Sequence, residues 1–201
     1  MKIFGRNENN NYIIDYDNKV SLDVFTDSAG YRRPDGIFDS NVGFFIYQGP
    51  NLVHCKRKDF KKKTNNFGEL KAIEMGLKYV TKHLSNSCYE INIYSDSLLS
   101  IKCLTTYLEK WLETAVDGIM YNSKNVPVKN QDIIWRIIKM RDYLEYKGID
   151  INIYFVRSHS PKSKIKQYHE LYCKDNGVLI SIKDYEIIRA RNEYCDLFIK
   201  R

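Results

Sequence analysis

Four acidic residues are candidates for metal-assisted chemistry: Asp27, Glu69, Asp96 and Asp196. Hard divalent cations take oxygen ligands. Carboxylates that converge repel one another unless cations neutralise them. Two metals about 3.5–4 Å apart can stabilise both the attacking and the leaving oxygen of a phosphodiester displacement. Each acid also has an ordinary alternative. Asp27 and Asp96 follow apolar strand-like runs, and Asp commonly ends strands by bonding local backbone amides. Glu69 fits the third position of a capping box whose cap is Asn66. Asp196 fits a solvated helix face.

The elements that must position these acids follow from the hydrophobic pattern. Residues 21–26 predict a strand that stops at Asp27. Residues 42–48 and 51–57 predict two strands across the Gly49-Pro50 turn. Leu70, Ile73, Leu77, Val80 and Leu84 recur at spacings of three and four. They predict a helix over 68–84, with Glu69 in its first turn. Ile91 and Ile93 alternate in a fourth strand over 90–95, just before Asp96. Residues 97–111 and 130–146 predict two more helices. Ile149, Ile151, Ile153 and Phe155 predict a fifth strand. Strands alternating with helices after an antiparallel hairpin give an α/β fold: a mixed five-stranded sheet covered by helices. If strands one and four are parallel neighbours, Asp27 and Asp96 meet at their carboxyl ends, where ligands collect in open sheets. Topology alone leaves open which edge Glu69 approaches.

Composition narrows the setting. The chain has 201 residues and is 43% hydrophobic, enough for one domain with a sizeable core. Residues 1–20 are polar and irregular and read as an N-terminal extension of a domain over 21–201. No apolar run approaches the roughly 18–20 residues of a membrane helix, and no targeting signal is evident. The expectation is an intracellular protein, cytoplasmic or wherever the genome is replicated, with no membrane association. Five scattered cysteines without a Cys-x-x-Cys pair argue for free thiols. The net charge of +7 favours polyanionic partners.

Six ordered motifs carry a resemblance to a known family. They are Phe25-Thr26-Asp27-Ser28; Thr64-Asn65-Asn66 with Glu69-Leu70; Ser95-Asp96-Ser97; Pro127-Val128-Lys129-Asn130 with Asp132 and Trp135; Val156-Arg157-Ser158-His159; and Asn192-Glu193 with Cys195-Asp196. Together they resemble type 1 ribonuclease H, in its bacterial and eukaryotic forms. The resemblance implies a ribonuclease H-like sheet with helices on both faces. It implies cleavage of the RNA strand of an RNA–DNA hybrid, leaving 5′-phosphate and 3′-hydroxyl ends. Asp27, Glu69, Asp96 and Asp196 match the carboxylates that hold two Mg²⁺ ions, for which Mn²⁺ may substitute. His159 matches a mobile histidine that assists proton transfer or product release. Asn65 and Asn66 match readers of RNA 2′-hydroxyls in the minor groove. Lys62, Thr64 and Asn130 match a pocket for a DNA phosphate, and Ser28 a substrate contact through its backbone. Asn130 has a rival role as a helix N-cap. The expected partner is the RNA–DNA hybrid, bound by a monomer, with protein partners left open.

The chain departs from the family pattern between His159 and Asp196, where about 161–191 reads as an insertion. This makes Asp175 an alternative fourth carboxylate, although the motif around Asp196 matches better. The final helix is expected to be short. Leu98 replaces a Gln common after the third motif. The loop 112–126 is less basic than the substrate-binding protrusion of bacterial relatives. The basic run 56–63 reads either as a solvated face or as a binding strip. Other nuclease activities on the same fold, such as junction cleavage, and a non-catalytic binding module are the competing expectations; the Thr64-Asn65-Asn66 motif and the intact acids argue against them.

Overall fold

The computed structural model describes residues 19–158 and 161–200. Most of the expected N-terminal extension lies outside the described residues. Three antiparallel strands open the fold: β1 (Val20–Arg32), β2 (Phe38–Gln48) and β3 (Asn51–Phe60). Helix α1 (Asn65–His83) leads into β4 (Cys88–Ser95), which lies parallel to β1. Helices α2 (Leu98–Leu104), α3 (Thr106–Glu113) and α4 (Gln131–Tyr146) precede β5 (Asp150–Phe155), parallel to β4. Helices α5 (Ile165–Asn176) and α6 (Ile182–Ile199) end the chain. The sheet order is β3-β2-β1-β4-β5.

Side chains alternate across a strand, and here both faces are covered. Leu22 and Val24 of β1 join the core formed with α1 to α4, which includes Leu70, Ile73, Leu77, Leu104, Ile133 and Ile137. Phe25, of the opposite parity and so on the other face, joins the second core with Tyr94, Tyr172, Tyr185, Ile188 and Cys195, under α5 and α6. The expected mixed sheet with helices on both faces is what the chain forms. All five cysteines are free, and among the described residues no helix is long and apolar enough to cross a membrane.

Four boundaries differ from expectation. Strand β1 does not stop at Asp27. Its parallel ladder with β4 ends at Thr26–Ser95, but its antiparallel ladder with β2 continues to Arg32–Phe38. Helix α1 starts three residues early, because Thr64 is the N-cap and its hydroxyl accepts from the Phe67 amide at 3.3 Å. Asn66 is therefore not the cap, and Glu69 lies in the second turn. The helix expected over 97–111 breaks at Thr105, whose hydroxyl donates back to the Ile101 carbonyl at 2.9 Å. The last helix is long: α6 has 18 residues. It buries Tyr185, Ile188, Asn192, Cys195 and Ile199 on one side, while Ile187, Tyr194 and Leu197 stay exposed. Apolar residues on opposite sides hide the single stripe by which an amphipathic helix is read.

Candidate active site

The parallel register of β1 and β4 sets Asp27 and Asp96 side by side. Each is the first residue past the Thr26–Ser95 pair. Glu69 reaches the same edge because α1 lies unusually close to β1. A Cβ at Gly68 would sit 2.6 Å from Ser28 Oγ and overlap Ser40 Oγ. A Cβ at Gly76, two turns on, would sit 2.7 Å from Val24 Cγ1. Two glycines thus seat the helix, and carboxylate oxygens of Asp27, Glu69 and Asp96 fall within 4.8 Å of one another.

Helix α6 brings the fourth acid. A Cβ at Gly43 would overlap Ile199 Cγ2, so the glycine lets α6 rest on β2. The buried Cys195 thiol faces the Phe25 and Gly43 carbonyls at 3.7 and 3.8 Å. Its neighbour Asp196 then lines one hollow of about 300 Å³ with Asp27, Ser28, Asn65, Glu69, Asp96, Ser97 and Lys200. Lys200 pairs with Asp196 at 2.6 Å. Asp175 lies elsewhere, on α5, in an ion pair with Arg157 at 2.7 Å.

Electrostatics make the cluster unstable as a set of bare anions. Burial, then the charges of Asp96, Glu69 and Asp196, pushes Asp27 up to about 9. Burial, then Asp96, pushes Glu69 up to about 8, although hydrogen bonds from Ser28 and Asn65 oppose the shift. One oxygen of each has a partner. Asp27 Oδ1 accepts from the Ser28 amide at 2.6 Å, and Glu69 Oε1 from the Ser28 hydroxyl at 3.0 Å. The other two, Asp27 Oδ2 and Glu69 Oε2, are buried without a hydrogen-bond partner. Orphaned anionic oxygens of this kind are costly. An all-oxygen donor set with two unsatisfied members fits hard divalent cations such as Mg²⁺.

Of the other predicted residues, Ser28 and Asn65 line this hollow with the acids. Ser28 is a hub, since its hydroxyl also lies 3.2 Å from Asn65 Oδ1. Asn65 Oδ1 accepts from the Gly30 amide at 3.0 Å, and Asn65 Nδ2 donates to Glu69 at 3.3 Å. Asn65, Asn66 and Thr64 line a second hollow with Gly30 and Phe38. Lys62 has positive φ in the turn before α1, and its amide donates to the buried Asp39 at 2.8 Å. Asn130 occupies the N-cap position of α4 in the left-handed region, and its side chain makes no capping bond. His159 lies outside the described residues. Sequence reasoning missed Lys200 and Gly43. The i, i+4 spacing of Asp196 and Lys200 was a usable signal once a helix through both was assumed.

A family model for RNase H matches residues 19–169. The chain belongs to the RNase H family. The match covers Asp27, Glu69 and Asp96 of this RNase H-family chain and stops short of Asp196. A ribonuclease H of Lachnoclostridium phytofermentans is 28% identical over 142 residues, which are 70% of this chain and 82% of that protein. A ribonuclease H of Schizosaccharomyces pombe is 34% identical over 100 residues, half of this chain but only 32% of that protein. Solved structures agree on the RNase H fold. The foamy viral (PFV) RNase H domain has a TM-score of 0.57 at 16% identity, covering 79% of this chain and 93% of that one. The foamy viral protease–reverse transcriptase, solved in complex with an RNA/DNA hybrid, has a TM-score of 0.56 at 18% identity, covering 77% of this chain and 19% of that one.

Proposed function

We propose that this chain hydrolyses the RNA strand of RNA–DNA hybrids with two divalent cations, leaving 5′-phosphate and 3′-hydroxyl ends. The observation that carries the reading is the buried cluster of Asp27, Glu69 and Asp96, with two orphaned oxygens, opening beside Asn65 and Asn66. The family and the hybrid bound by a protein of the same fold support it. Asp27, Glu69, Asp96 and Asp196 would hold two Mg²⁺, or Mn²⁺ in their place. Bound there, the ions supply an activated water and neutralise charge at the scissile phosphate. The chain's own residues set the stage. Ser28 fixes the orientations of Asp27 and Glu69, and Lys200 holds Asp196 toward the hollow. Asn66, exposed at the start of α1, is placed to meet a minor-groove edge, where hybrid and DNA differ in 2′-hydroxyls. Lys62, Thr64 and Asn130 are assigned to a DNA phosphate, and His159, after β5, to proton transfer or product release. One chain supplies all four carboxylates, so a monomer suffices.

The test compares labelled RNA–DNA hybrid, duplex DNA and duplex RNA, with Mg²⁺, Mn²⁺ or chelator. RNA should be cut in the hybrid alone, and chelator should stop it. Asp96→Asn should abolish cleavage and keep binding. Failure of the wild-type protein to cut the hybrid overturns the reading, and binding without cleavage reassigns the chain as a binding module.

A further inference from the structure

The basic run over 56–63 has a specific place in the fold. β3 is one of the two edge strands of the sheet. Its even residues His54, Lys56, Lys58 and Phe60 pair across β2 with Ile46, Phe44, Val42 and Ser40. Opposed residues share a face, and Phe44 and Ile46 belong to the core beneath α1. The lysines of β3 therefore rise beside the flank of α1. There the two elements interlock. Phe60 meets Phe67 edge-on at 5.5 Å, and His54 stacks on Tyr79 at 3.8 Å. Lys58 sits 5.2 Å from the Phe60 ring, Lys63 4.7 Å from Phe67, and Lys71 6.0 Å from Phe60.

The result is a stripe of one sign backed by aromatic rings. Among the described residues, Lys56, Lys58, Lys61 and Lys63 enter no ion pair, and the acid within the run, Asp59, is held by Arg57 at 3.2 Å. Lysines on a sheet edge also discourage strand pairing. That accounts for Lys56 and Lys58, but not for Lys63, which sits over Phe67 beyond the end of the strand, nor for the rings beneath the charges. The stripe ends at Thr64, Asn65 and Asn66, which line the second hollow. From His54 to Phe60 it runs about 20 Å, the rise of about six base pairs. The end of α3 and the loop after it, by contrast, carry the acids Glu113 and Asp117.

We infer that the β3–α1 stripe is a second nucleic-acid contact, a track for the phosphate backbone of a duplex extending several base pairs past the catalytic hollow. The inference rests on the proposed reading of that hollow for its direction. Its partner is chosen by charge complementarity, since phosphates at regular spacing meet regularly spaced ammonium groups.

The experiment uses the full chain carrying Asp96→Asn, so that hybrid stays uncut. K56A/K58A is added, and binding to a labelled hybrid of about 24 base pairs is followed by anisotropy across salt. The slope of log Kd against log salt should fall by about 1.8, or 0.9 for each lost phosphate contact. Affinity at low salt should fall about tenfold, and K56R/K58R should restore both. In the Asp96 wild-type background, K56A/K58A should cut a hybrid of about 8 base pairs at the unaltered rate. An unchanged salt slope and affinity on the long hybrid overturn the proposal. So does loss of binding to polyglutamate with hybrid binding intact, which would point to an acidic protein instead. A wild-type chain that fails to cut the short hybrid sinks the functional reading, while the salt slope on the long duplex still decides the stripe.

Discussion

Asp27 lies directly across the β1–β2 ladder from Gly43, and Gly43 is where α6 rests on the sheet. The residue opposite the most buried acid thus controls how closely the helix bearing Asp196 can approach. Gly43→Ala places a methyl against Ile199. Such overpacking costs about 1–3 kcal/mol and displaces α6. Cleavage should fall well beyond what the loss of folded protein explains, and Ile199→Ala in the same chain should recover much of it. Activity unaltered at matched folded fraction would show that the position of α6 does not matter.

Ser28 tests orientation rather than ligation. Ser28→Ala removes the hydroxyl bonds to Glu69 and Asn65. Stability should fall by about 1 kcal/mol. Affinity for Mg²⁺ should weaken about tenfold, as for other groups that orient metal ligands. A Mg²⁺ titration of cleavage reads the shift, and one that overlays the wild type contradicts the role.

Asp196 and Asp175 differ in surroundings, and single Asn substitutions separate them. Asp196→Asn should lower cleavage by two orders of magnitude or more at fixed Mg²⁺, since the rate is exponential in barrier height and each tenfold needs about 1.4 kcal/mol. Asp175→Asn breaks a half-exposed pair with Arg157. Its cost should stay within about 1 kcal/mol, with cleavage intact. The reverse pattern would move the fourth carboxylate to α5.

The raised carboxyls give a pH signature. Asp27 near 9 and Glu69 near 8 lie above the roughly 4 of an unfolded chain. The folded protein without metal therefore holds protons that the unfolded chain releases. The contribution of these groups to stability is full below about pH 4 and is lost as pH rises through about 8 to 9. Cations require the deprotonated ligands and release protons on binding. Stabilisation by Mg²⁺, read as the difference in urea midpoint with Mg²⁺ and with chelator, should be larger at about pH 8.5 than at about pH 6. An equal or smaller difference at the higher pH would count against these carboxyls as the ligands.

The chain's local patterns were readable where one side of an element carries the core. The stripe Leu70, Ile73, Leu77, Val80 defined α1, and alternation at Ile91 and Ile93 defined β4. They were unreadable where partners decide. Strand β1 outruns its parallel neighbour because β2 continues the ladder, which no residue in 28–32 announces. Helix α6 hid its length behind apolar residues on two sides.

The sequence by itself determined the identities and order of the acids, the strand and helix types that carry them, and membership of the RNase H family. These follow from local pattern and motif. Tertiary structure alone decided that Glu69 reaches the edge shared by Asp27 and Asp96, and that Asp196 rather than Asp175 lines the same hollow. Both outcomes depend on how closely a helix can approach a sheet. That distance is set at Gly68 and Gly43 by atoms distant in sequence, Ser28, Ser40 and Ile199.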